Sequence, residues 1–84
     1  MGLIEESVDL VRKYNKAGMT LKQIVNQLWL EGVYYRIAFM ALLHEGMDER
    51  AVSTEFASHS EYSKFVDEVK PLTDEFKKSF SEGE

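Results

Sequence analysis

Eighty-four residues with 44% hydrophobic side chains make one small domain with enough apolar content for a core. The chain has no cysteine, which excludes disulfides, thiolate metal sites and cysteine nucleophiles. Its net charge of −5 is uneven: residues 1–44 hold five Lys/Arg against four Asp/Glu, and 45–84 hold five against eleven, so any anion-binding surface belongs to the first half.

The first helix is expected over 3–16. Ile4, Val8, Val11 and Tyr14 fall at helical spacing, with Leu3 and Leu10 beside them. Gly18 ends it, after Lys13 and Lys16 in the last turn, where cations suit the negative end of the helix dipole. The second helix is expected over 21–31. Thr20 and Gln23 form a capping-box pattern, and Leu21, Ile24, Val25 and Leu28 make the buried face, broadened by Trp29 and Leu30. Gly32 breaks it.

The third helix, 33–44, reads as the centre of the molecule. Between Val33 and Leu43 its only charge is Arg36, and a helix that is apolar all round is normally buried all round. Gly46 ends it. Asp48 caps a fourth helix that reaches about Ser58, with Ala51, Val52 and Phe56 as its apolar positions. A fifth helix follows Ser60, turns Tyr62, Phe65, Val66 and Val69 inward, and is stopped by Pro71. A sixth, over 73–80, carries Phe76 and Phe80, with Leu72 just ahead of it. Residues 82–84 form a polar tail expected to fray. No segment alternates as a strand does. The expected fold is an all-α orthogonal bundle of five or six short helices around 33–44.

The N-terminus lacks the basic start and apolar run of a secretory signal, and the longest apolar run, 37–43, is far short of the roughly 20 residues that span a membrane. The expectation is a cytoplasmic protein with no membrane contact.

The stretch from Gly18 is echoed from Gly46, 28 residues on: GMTLKQIVNQLWLEGVYYRI lies over GMDERAVSTEFASHSEYSKF. Gly18/Gly46, Met19/Met47 and Tyr34/Tyr62 are identical, and Lys22/Arg50, Ile24/Val52, Leu28/Phe56 and Arg36/Lys64 are similar. Each copy would be a capped helix, a turn and a second helix.

TLKQIVNQL, WLEG and VYYRIAFMALL together resemble the helix-turn-helix DNA-binding superfamily: a capped helix with Ile24 and Leu28 inward, a glycine-containing turn and an apolar second helix. With the first helix the resemblance covers 3–43, and 46–66 offers a possible second copy. It implies that Tyr34, Tyr35 and Arg36 enter the major groove, that Lys22 meets a phosphate at a helix start, and that Arg12, Lys13 and Lys16 extend the patch. The expected partner is duplex DNA, and where the other helices leave part of the third helix bare a second copy of the chain would cover it, so a homodimer is expected. From Arg12 to Lys22 there are four positive charges and no acid.

Other chemistry is poorly served. His44 and His59 lie without the spacing of a zinc motif, and no phosphate loop or nucleophile elbow is present. Neither an enzyme nor a cofactor is expected. The surplus of large apolar residues, Trp29, Leu30, Tyr34, Tyr35 and Met40, is of the kind enriched at protein interfaces. Two functions therefore stand: a helix-turn-helix-like DNA-binding regulator, and an acidic protein–protein interaction module using the apolar Trp29–Tyr35 surface or the acidic second half.

Overall fold

A computed structural model describes residues 3–82, with side chains described for 4–78. It is an all-α bundle of five helices: α1 (Leu3–Lys16), α2 (Leu21–Leu30), α3 (Tyr35–His44), α4 (Glu49–Ser58) and α5 (Val66–Glu82), with a 3-10 turn at Tyr62–Phe65. No strand occurs among the described residues. None of their helices is long and apolar enough to cross a membrane. The expected inward positions of Leu3 and Phe80 lie outside the described side chains. Of the tail expected to fray, Glu82 closes α5 and 83–84 lie outside the described residues.

The central position of α3 follows from its sequence. It touches each of the other four helices and supplies Tyr35, Ala38, Phe39, Ala41, Leu42 and Leu43 to the core. Around it pack Val11 of α1, Ile24, Val25 and Leu28 of α2, Val52 and Phe56 of α4, and Val69 and Leu72 of α5. Phe39 meets Phe56 edge to face at 5.2 Å, and Phe56 stacks on Tyr62 at 4.7 Å. Pairs of this geometry add about 0.5–1.5 kcal/mol beyond the area they bury. The radius of gyration, 12.0 Å, is what a close-packed chain of this length has, so α5 lies against the body despite its 17 residues.

Three helices end in the same way. Gly18, Gly32 and Gly46 have φ of 87°, 81° and 91°, the left-handed region that a side chain resists. The next residue in each case turns its N–H back to a carbonyl five residues earlier: Met19 to Tyr14 at 3.2 Å, Val33 to Leu28 at 3.0 Å, and Met47 to Leu42 at 3.0 Å. Each of those three residues is half-buried against the core, which completes the apolar contact of a Schellman ending.

The spacing is the finding the 28-residue echo concealed. The glycines stand 14 residues apart, the helix-starting caps Thr20, Tyr34 and Asp48 stand 14 apart, and α2, α3 and α4 are each ten residues long. The echo is therefore two steps of a shorter unit, and α3 is itself one of the copies. The series stops where Ser60 stands at the fourth glycine position. There the His59 side chain takes over: its Nδ1 accepts from the N–H groups of Glu61 and Tyr62, both at 3.1 Å, and the chain tightens into the 3-10 turn.

Two sequence expectations are corrected here. Pro71 does not stop a helix; it lies inside α5. Its missing N–H costs the bond to the carbonyl of Asp67, only the second residue of the helix, and Pro71 itself is exposed. Val69 and Leu72, 2% and 1% exposed, hold the helix to the core on either side of it. The third helix begins at Tyr35 rather than Val33, because Tyr34 is the extended residue before its first turn.

Candidate functional site

Among the described residues, the large apolar side chains that remain in solvent gather at the end of α2 and the turn at 31–34 that leads into α3. Trp29 is 40% exposed, Leu30 66% and Tyr34 57%. Trp29 and Leu30 do not broaden the buried face of α2 as expected; they close the helix on its open side. Trp29 leans edge-on against Tyr62 at 5.8 Å and His59 at 6.2 Å, so one side of the indole is supported and the other is free.

The turn is held rigidly from beneath. The Tyr62 hydroxyl donates to the Val33 carbonyl at 2.8 Å, and Tyr62 is itself 1% exposed. Burial pushes this hydroxyl up to about 12. On the flank, Glu31 accepts from the Tyr14 hydroxyl at 3.4 Å and from Gln27 Nε2 at 3.2 Å. Burial, and then the neighbouring Glu31 charge, raise the Tyr14 hydroxyl above its ordinary value. Beside the turn, Glu6, Ser7, Leu10, Val33, Tyr34 and Ile37 line a mainly apolar groove of about 270 Å³ between α1 and α3.

Tyr34 occupies a position that local chemistry would fill otherwise. Thr20 accepts from the N–H of Gln23 at 3.2 Å, and Asp48 from the N–H of Ala51 at 3.0 Å. Tyr34, at the corresponding position, gives α3 no side-chain cap. Such a cap contributes about 1 kcal/mol. A large aromatic ring stands in solvent where a small oxygen would stabilise the helix.

The residues singled out from the sequence separate into groups. Tyr35 is corrected from a surface residue to a core one: 7% exposed, it stacks on Phe65 at 4.4 Å and its hydroxyl donates to Glu68. That bond, together with burial, raises the hydroxyl's pKa. It is open neither to a groove of DNA nor to a partner. Met40 is half-buried against the core. Arg36 pairs with Glu75 at 3.2 Å, and Arg12 lies between Glu45 at 3.3 Å and Asp9 at 3.5 Å. Lys13, Lys16 and Lys22 are exposed, flank the turn at 17–20, and have no ion-pair partner among the described residues. Lys22 borders a groove of about 440 Å³ between α2 and α4, with Asn26, Glu55 and His59.

The histidines serve the fold. His59 Nδ1 is occupied as an acceptor, which leaves the proton on Nε2 to donate to Asn26 Oδ1 at 3.3 Å. His44 meets the Phe76 ring edge-on at 5.1 Å. Among the described residues no three His, Asp or Glu side chains are grouped to hold a metal ion.

Sequence reasoning had Trp29, Leu30 and Tyr34 in its apolar surplus and the stretch 29–35 as an interface, but did not read Tyr34 as standing at a capping position, nor Ile37 as its neighbour. An aromatic residue two positions after a helix-ending glycine, where Thr20 and Asp48 stand elsewhere, was the available signal.

Comparison with protein-family models, with curated protein sequences and with solved structures returns no match.

Proposed function

We propose that this chain is a non-catalytic protein–protein interaction module whose contact surface is the α2–α3 turn. The observation that carries this reading is Tyr34, an exposed ring at a helix-capping position whose two counterparts are stabilising oxygens. Local stability is given up there, and Trp29 and Leu30 stand exposed beside it. Trp and Tyr are the residue types that dominate binding at interface centres. The test is capture of a partner by the full chain and by Tyr34→Asp and Leu30→Lys variants. A specific protein retained by the parent and lost by both variants, with their helical content intact, supports the module. A partner kept by both variants removes this surface from it.

A second reading, duplex DNA binding, has one favouring observation: Lys13, Lys16 and Lys22 flank one turn with no ion-pair partner among the described residues. In that reading the turn at 17–20, rather than α3, meets phosphate. Titration of a labelled duplex at low salt decides it. Binding that falls steeply as salt rises supports it, because phosphate contacts release counterions; no binding at about 50 µM removes it.

A further inference from the structure

The chain builds the same helix ending three times, and the two endings that flank α3 differ in what lies against them. At the α3–α4 turn the residues before Gly46 are Leu43, His44 and Glu45; at the α2–α3 turn those before Gly32 are Trp29, Leu30 and Glu31. Leu43 is 5% exposed, His44 is exposed but meets the Phe76 ring of α5 edge-on, and Glu45 receives both Nε and Nη2 of Arg12 at 3.3 Å. The chain's own α1 and α5 thus supply the second turn with an aromatic ring and a guanidinium. At the first turn Trp29 rests on Tyr62 and His59 yet is 40% exposed, Leu30 is 66% exposed, and Glu31 accepts only from the neutral donors of Tyr14 and Gln27, with no cation within ion-pair distance among the described residues.

We infer that the α2–α3 turn receives an amphipathic, basic helix of a partner protein, which sets apolar side chains on Trp29, Leu30 and Tyr34 and an arginine or lysine on Glu31. This rests on the interaction-module reading and states the chemistry of the partner. Charge supports it. Glu6, on the adjoining groove, and Glu68, which accepts the Tyr35 hydroxyl beneath Tyr34, also lack ion-pair cations among the described residues. Along α1 this carboxylate rim ends at Lys13, about one turn past Leu10. Size supports it too. Two partly exposed aromatics and a leucine present roughly 300–400 Å². That is about half of what each partner buries in a standard stable interface, and it suits a single docked helix better than a symmetric pair of whole domains.

The test uses the full, isotope-labelled chain at physiological salt and a designed 14-residue leucine/arginine amphipathic peptide, with a matched peptide carrying glutamate for arginine. The expected result is saturable shifts of the Trp29 indole and of Leu30, Gly32, Val33 and Tyr34 with the basic peptide only. Glu31→Gln, which keeps an acceptor for Tyr14, should weaken binding at least threefold, and Asp74→Asn should not. Equal binding of the acidic peptide, or an unchanged affinity in Glu31→Gln, overturns the inference while the surface itself stands if Tyr34→Asp still abolishes the shifts. Shifts spread along the acidic residues of α5 overturn it as well. Concentration-dependent doubling of mass with the same residues perturbed would seat a second copy there and overturn the basic partner. Silence of both peptides, together with a partner retained by Tyr34→Asp in the capture experiment, removes inference and surface together.

Discussion

The turn at 31–34 and the turn at 45–48 share their backbone hydrogen bonds, their left-handed glycine and the ten-residue helix that follows, yet they present opposite surfaces. The first ends on Trp29, Leu30 and Tyr34 in solvent; the second on a buried Leu43, an exposed His44 set edge-on against Phe76, and a capping Asp48. The backbone ending is set by local chemistry, a glycine and the apolar residue after it. What the ending shows to the outside is set by whether α1 and α5 pass over it. One motif can therefore be a structural joint in one place and a contact surface in another without any change in its hydrogen bonding.

This contrast can be broken in several ways. The largest effect is expected at the shared core: Phe39→Ala, at a wholly buried residue between the two turns, should remove about 3–5 kcal/mol of unfolding free energy in urea melts. Losing much less would mean that α3 is not the common support. Tyr62→Phe acts on the first turn alone. It orphans the Val33 carbonyl and should cost about 1–2 kcal/mol.

Tyr62 also carries a pH signature. Its folded hydroxyl stands at about 12, above the ~10 of an unfolded tyrosine. The associated stability is fully present below pH ~10 and is lost as pH rises toward 12. Melts between pH 9 and 12 should show a smaller decline in Tyr62→Phe than in the parent, with the remainder attributable in part to Tyr35, whose hydroxyl is also raised.

Gly32→Ala and Gly46→Ala sharpen the comparison of backbones. An added Cβ meets nothing within 4 Å at either site, so the cost is conformational alone, about 1–2 kcal/mol. The two values should agree; a clear inequality in denaturant midpoints would show that the endings are not equivalent. The smallest effect has the opposite sign. Tyr34→Asp should raise stability by about 0.5–1 kcal/mol by restoring a cap at the start of α3. A loss of stability there would mean that the exposed ring holds the fold rather than a partner.

Much of the bundle was legible because its punctuation is local. Thr20 and Gln23 make the reciprocal capping box the sequence suggests, with Thr20 N–H donating to Gln23 Oε1 at 2.9 Å. Asp48 caps α4, and the glycines end their helices. Pro71 was misread because a proline's local penalty was weighed without the two anchors, Val69 and Leu72, that override it. The surface was harder to read. Trp29 and Tyr35 are both aromatic and both near the turn, and periodicity alone does not say that Phe65 covers one and solvent the other. An apolar helix such as α3 has no polar face to orient it, so the buried set at its first turn emerges only once α1 and α5 are in place. The cations were legible as a cluster, but Glu45, which joins Asp9 on Arg12, and Glu75, which engages Arg36, lie 33 and 39 residues away in sequence.

The fourteen-residue spacing bears on how quickly this chain acquires its structure. Each ten-residue segment carries its own stop, and α2 and α4 their own starting cap, so most of these limits are decided by neighbours in sequence before distant parts meet. Chains dominated by such short-range decisions cross their folding barrier in microseconds to milliseconds, since little loop-closure entropy is lost on the way up. Rapid-mixing or temperature-jump relaxation should find this one among the fast folders, with the docking of α5, which lies outside the spacing, as the last step.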